Sequence, residues 1–220
     1  VIEALNHCSA NLDCKINVKW IETTDEKKVD DQLKGVDGII VPGGFGSRGT
    51  EGKIKAIKYA RERNVPYLGL CFGLQLAVIE YARHICDLNG ANSTEIDPET
   101  KYPVVDILPE QKKVDKKGGT MRLGAYDADI LAGSKVFYLY SSNTVSERHR
   151  HRYEVNPEYH KVLEDKGLVF SGSSQDGRLV EFIELPKHTY FVATQAHPEL
   201  KSKLEEPAPL FYGFIKACLK

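Results

Sequence analysis

The chain has 220 residues, 41% of them hydrophobic, with 30 basic and 31 acidic side chains and a formal net charge of −1. That length and apolar content supply one sizeable core and favour a single domain over residues 1–220. The balanced charge argues against nucleic acid or an anionic membrane as a whole-chain partner, and no apolar run reaches the roughly 18 residues a membrane helix needs.

In chain order, VIEALNHCSA places Val1, Leu5 and Cys8 at helical spacing. KINVKWI (residues 15–21) alternates polar and apolar residues and predicts a strand. EKKVDDQLKG predicts a short polar helix closed by Gly35. VDGIIVPGG predicts a buried strand running into a glycine turn. GTEGKIKAIKYARER follows as a helix, with Ile54, Ile57 and Ala60 or Arg61 one turn apart. VPYLGL is again a strand and LQLAVIEYARHICDL a mostly apolar helix. Strands and helices alternating through short connections imply right-handed crossovers and a parallel sheet covered on both faces. The same alternation expects a strand ahead of the first helix, so the chain reads as the C-terminal part of a longer one.

The second half changes character. Residues 88–120, rich in Asn, Pro, Asp and Lys, predict a long irregular loop region. Asn156-Pro157 caps and opens a helix that Gly167 closes. LVFSGSSQ precedes two further strands, RLVEFIEL and YFVATQ. The residues around Pro186-Lys187-His188 are too few for a crossover helix, so those strands pair antiparallel. APLFYGFIKACL closes the chain as an amphipathic helix. The expected fold class is therefore α/β, a three-layer open, mostly parallel sheet with helices on both faces and an antiparallel extension.

Gly69-Leu70-Cys71-Phe72-Gly73 lies between a strand and a helix and has the form of a nucleophile elbow. Such a turn stands its side chain at the carboxyl end of the sheet, where open α/β sheets bind ligands. A cysteine there also meets the positive end of a helix, which favours thiolate. A buried structural cysteine is the alternative, and on Cys71 alone both stay open. The other cysteines, Cys8, Cys14, Cys86 and Cys218, form no CxxC pair. Reduced thiols in the cytoplasm are expected, with neither a disulfide framework nor a metal site.

A nucleophile needs a base. YFVATQAHPEL ends a strand at His197-Pro198-Glu199, where the carboxylate can hold the imidazole tautomer as the third member of a triad. A surface turn histidine is the bland alternative. VPGGFGSRG offers backbone amides for an oxyanion, from Gly44 together with Phe72; taken alone, it is a plain glycine turn. Gly52-Lys53 imitates the end of a phosphate-binding loop, but Ser47 and Ile54 break that pattern. ERHRHRYEVN, if extended, puts Arg148, Arg150 and Arg152 on one face, where a guanidinium fork can clamp a carboxylate. A solvated basic segment explains it equally.

Together these pieces resemble the class I glutamine amidotransferases: PGGFG, then G-x-C-x-G, then HPE, in that order. More narrowly, VPGGFGSRGTEGK, ANSTE, GGTMRLG and ERHRHRYEVN are similar to the glutaminase domain of the CTP synthases. The similarity runs from Val1 to the C-terminal helix. The resemblance implies that Cys71 attacks the amide of L-glutamine and that His197 and Glu199 complete the triad. It implies Gly44 and Phe72 as the oxyanion hole, and Gly44, Phe45, Phe72, Gly73, Leu74, Gln75, Glu95 and Arg152 around the substrate. Within that set Gln75, Glu95 and Arg152 would hold the α-amino and α-carboxylate groups. It implies no cofactor in this domain. ATP and magnesium are expected in a separate N-terminal synthase domain, which would use the ammonia to turn UTP into CTP within a homotetramer. Phe72, Ala196 and Leu200 depart from the usual residues of the family and bear on pocket shape. A γ-glutamyl hydrolase or other cysteine hydrolase on the same fold, and a catalytically silent regulatory domain, are the competing expectations.

Overall fold

The computed structural model describes residues 1–107 and 121–220. The end of the expected 88–120 loop, and the GGT of GGTMRLG, lie outside the described residues. Helix α1 (Ile2–Asn11) buries Ala4, Leu5 and Cys8, as its spacing demands. A 3-10 turn leads into the short α2 (Val29–Gln32). Strand β1 (Ile39–Val41), helix α3 (Thr50–Arg63), strand β2 (Tyr67–Leu70) and helix α4 (Phe72–His84) follow in the expected alternation.

Next come β3 (Asn92–Ser93), β4 (Pro103–Asp106), β5 (Arg122–Ile130), α5 (Lys135–Tyr140), β6 (Thr144–His151) and β7 (Glu154–Val155). The described chain ends with α6 (His160–Asp165), β8 (Val169–Ser174), β9 (Val180–Glu184), β10 (Phe191–Thr194) and α7 (Pro209–Cys218).

Seven strands form the main sheet in the order β1-β2-β10-β9-β8-β5-β6. The β1–β2 and β2–β10 ladders are parallel, while β10–β9, β9–β8, β8–β5 and β5–β6 are antiparallel. RLVEFIEL and YFVATQ thus pair as expected. The sheet is mixed rather than mostly parallel, because β5 and β6, joined through α5, form a long antiparallel pair whose first strand has no clean alternation to betray it.

The period of two along the central strands splits the core across the sheet. Tyr67, Phe191 and Ala193 face α3 and α4, whereas Leu68, Leu70 and Val192 face α1 and α7. Helix α4 is buried on every side over Phe72–Ala82. Its outer side is covered by a second, three-stranded sheet, β3-β4-β7. The stretch expected as an irregular loop therefore contributes two short strands, which is why an apolar helix can sit there without a solvent face.

Residues 15–21 depart from expectation. They join no ladder, with Val18 and Trp20 turned to solvent, although Ile16 and Ile21 remain half-buried. The alternation expresses burial on one side, but a cavity of about 420 Å3, lined by Ile16, Ile21, Val36, Ile40 and Phe214, separates this segment from the edge strand β1.

The chain just beyond that segment explains Gly52. A Cβ there would lie 2.1 Å from the carbonyl oxygen of Thr23, so α3 can approach the 15–24 segment this closely only without a side chain at Gly52. Its neighbour Lys53 holds its Nζ 5.4 Å from the ring centre of Phe72. This glycine-lysine pair serves packing. Gly52→Ala is expected to cost about 2 kcal/mol by overpacking against backbone, measured as a lower urea midpoint at unchanged m-value.

Candidate active site

Cys71 links β2 to α4 with φ 51° and ψ −100°, a backbone that side chains disfavour. Its amide donates to the carbonyl of Thr194 at 2.7 Å, and its carbonyl accepts from Leu74 at 3.0 Å. The strained turn is thus held by the neighbouring strand β10 on one side and by the first turn of α4 on the other. The side chain is nearly buried, but its surroundings are polar. The sulfur lies 4.0 Å from the carbonyl oxygen of Arg150 and 3.7 Å from the side-chain Nε2 of Gln195.

His197 stands just beyond β10, held where proline begins a 3-10 turn over Pro198–Leu200. Its backbone amide donates to the carbonyl of Arg148 at 2.8 Å. Its Nδ1 sits 2.8 Å from Oε1 of Glu199. Hydrogen bonding to Cys71 first, and to Glu199 second, pushes the imidazole up to about 10 against the opposing effect of burial. The ring is therefore protonated at neutral pH, with Nδ1–H directed at the carboxylate. Gly43 packs between Cys71 and His197: a Cβ at that position would lie 2.7 Å from His197 Cε1 and 3.7 Å from Cys71 Cβ.

Gly44 and Phe72 are brought together, since a Cβ on Gly44 would lie 3.5 Å from the Phe72 ring. Phe72 is the first residue of α4, where amides have no acceptor within the helix. Such amides suit a developing oxyanion. Glu95 accepts from the amide of Gly46 at 3.2 Å, closing its turn onto the PGGFG loop. Burial raises its carboxyl above the ordinary range, opposed by the Gly46 amide and by Arg152 nearby. Glu95 and Arg152 thus offer both signs of charge beside one glycine loop.

Gln75 is buried and donates to the carbonyl of Tyr153 at 3.0 Å and to Gln195 Oε1 at 3.3 Å. Phe45 projects into solvent, Gly73 packs against the carbonyl of Val41, and the side chain of Leu74 is fully buried in the core. Of the three arginines expected on one face, Arg148 and Arg150 lie exposed on β6, while Arg152 follows the strand and approaches Glu95. The buried face of β6 carries Val145, Glu147, His149 and His151.

Gly43, Gln195 and the carbonyls of β6 are parts of the site that sequence reasoning did not pick out. The first glycine of PGG and a glutamine ending a buried strand were the available signals. No sequence signal marks a backbone carbonyl.

The chain has relatives among known proteins. The profile of the glutamine amidotransferase class-I family matches residues 1–217. The chain belongs to the class I glutamine amidotransferases.

Within them, it is 58% identical over 230 aligned residues to a CTP synthase of Methanocaldococcus jannaschii, covering 100% of this chain and 42% of that protein. A CTP synthase of Caldanaerobacter subterraneus is 57% identical, with 100% of this chain and 41% of that protein covered. This amidotransferase chain thus spans about two fifths of the length of the curated relatives it matches.

Among solved structures, the glutaminase domain of Trypanosoma brucei CTPS with bound acivicin superposes with a TM-score of 0.94 at 38% identity, over 99% of this chain and 86% of that one. A glutamine amidotransferase from Thermotoga maritima, at 11% identity and a TM-score of 0.57 over 99% of this chain and 90% of that one, shares the fold. In this amidotransferase no helix among the described residues is long and apolar enough to cross a membrane.

Proposed function

We propose that the chain hydrolyses L-glutamine to glutamate and ammonia through a thioester on Cys71. The observation that carries this reading is a strained elbow that sets Cys71 and the His197 imidazole against the same glycine, Gly43, with Nδ1 of the ring held 2.8 Å from Glu199. The sulfur adds to the carboxamide carbon, and the carbonyl electrons move onto oxygen, facing the amides of Gly44 and Phe72. His197 gives its proton to the nitrogen, the C–N bond breaks, and ammonia leaves. Water then adds to the thioester carbon while His197 takes its proton. The C–S bond breaks, releasing glutamate. Glu199 keeps the ring oriented and its charge balanced throughout. Glu95 suits the substrate ammonium, Arg152 its carboxylate, and Gln75 lies behind them.

The family resemblance supports passing the ammonia to a synthase region outside these 220 residues, which uses ATP and magnesium to aminate UTP to CTP. A cytoplasmic homotetramer belongs to the same reading.

The test uses a glutamine-mimicking chloroketone, with the modified residue found by mass spectrometry. Labelling at Cys71 that excess glutamine suppresses is the expected result. Labelling spread over the five cysteines would overturn it. Faster turnover of γ-glutamyl peptides than of free glutamine would transfer the chain to the hydrolase reading.

A further inference from the structure

The MRLG and RHRHRYE motifs meet in a buried polar cluster that the hydrolytic steps do not use. Arg122 on β5 reaches Glu181 on β9 at 2.7 Å and Glu154 on β7 at 3.3 Å. His149 on β6 places Nε2 3.6 Å from Glu181 and Nδ1 2.9 Å from His151 Nε2. His151 Nδ1 in turn faces the Tyr153 carbonyl at 3.2 Å and Glu154 at 3.5 Å. All five side chains are at least nine-tenths buried. The ring of Tyr126 closes the outside, 4.5 Å from the Arg122 guanidinium and edge-on to His149.

Buried ion pairs are a poor source of stability, because apolar residues of the same volume often do as well. What directional bonds add is a single allowed position. The strands tied by this cluster are those that reach the reactive pair. The Arg148 carbonyl of β6 holds the His197 amide at 2.8 Å, and the Arg150 carbonyl lies 4.0 Å from the sulfur. The Glu181 carbonyl of β9 takes the Gln195 amide at 2.9 Å, and the Gln195 side chain touches the sulfur.

We infer that Arg122 is a positioning residue, the hub of a polar latch with Glu181, Glu154 and His149 that fixes β6 and β9 against Cys71 and His197. The latch has a defined charge state. Burial pushes Glu154 up to about 8, opposed by Arg122 and reinforced by Glu181. Burial, with Arg122 beside it, holds His149 down at about 3 and His151 well below its ordinary value. The groups facing Glu154 are Arg122 from β5, Glu181 from β9, His151 from β6 and Arg178 from the turn before β9. Arg122 thus faces one carboxyl, Glu154, that stays protonated at neutral pH, and a second, Glu181, that burial also raises and Arg122 opposes. Stability from that neutral carboxyl is fully present below its ordinary value of 4.5 and is lost as pH rises through about 8.

The inference rests on Cys71 as the nucleophile, so the readout is alkylation of Cys71 by iodoacetamide, which requires no recognition of glutamine; glutamine turnover is followed in parallel. The double variant Arg122→Met, Glu181→Met removes the latch but preserves volume. It is expected to melt near the wild-type temperature, to alkylate about tenfold more slowly, and to lose kcat more than it raises KM. A folded double variant with wild-type alkylation and kcat overturns the latch.

Should that variant not fold, Arg122→Lys decides: it keeps the charge but loses the fork that reaches Glu181 and Glu154 together, and is expected to alkylate about threefold more slowly. A folded Arg122→Lys protein that alkylates at the wild-type rate overturns the latch. Wild-type protein that alkylates at Cys71 yet turns over no glutamine refutes the proposed function instead.

Discussion

Replacing Cys71 by serine is expected to lower glutamine turnover by about 10³-fold or more, with the fold unchanged. The hydroxyl occupies the same elbow and keeps the backbone bonds to Thr194 and Leu74. It is a far weaker nucleophile, and it removes the partner that contributes most to the raised imidazole. The His197 titration should therefore fall from about 10 toward its ordinary 6.5. In the native protein the stability from this raised pKa is complete below 6.5 and is lost as pH rises through about 10. The serine variant should lose much of that dependence. Steady-state turnover and NMR titration of the ring are the measurements. Retained turnover removes Cys71 from the nucleophile role.

Gly43→Ala should cost about 10²-fold in kcat through displacement of the imidazole alone. The added methyl would sit 2.7 Å from His197 Cε1, too close for any real contact. The ring cannot easily retreat, because its Nδ1 is tied to Glu199 and its backbone amide to Arg148. It must tilt, and the proton it exchanges with the sulfur tilts with it. The elbow itself is untouched, so the thermal midpoint should move little. A Gly43→Ala protein with wild-type kcat would mean that the ring takes up a different position during turnover.

The parallel half of the fold was legible because its strands are short apolar runs between helices of clear period: VDGIIV, VPYLGL and YFVATQ all lie where their patterns put them. The antiparallel β5–β6 pair was not, since β5 exposes Leu123 and Tyr126 and buries Arg122. An arginine on an inner face reads as solvent until its buried partners Glu154 and Glu181 are known. Residues 15–21 erred the other way, as alternation marks a half-buried extended chain whether or not a ladder forms. At the site, Cys71, His197 and Glu199 stood out through the turn chemistry around them. Gly43 and Gln195 matter through contacts that span the chain. The basic segment misled in emphasis: its arginines drew attention, but its histidines face inward.

The place of β10 between β2 and β9 has a temporal consequence. Gln195 and Cys71, which touch, are separated by 124 positions. A chain emerging from the ribosome presents Cys71 after a β2 that has only β1 beside it, because β10 is made later. The imidazole of His197 follows β10. Non-local pairing of this kind is slow to form. Thiol and imidazole therefore meet only once β10 has docked between β2 and β9, and their pairing reports a closed sheet rather than the presence of any one strand.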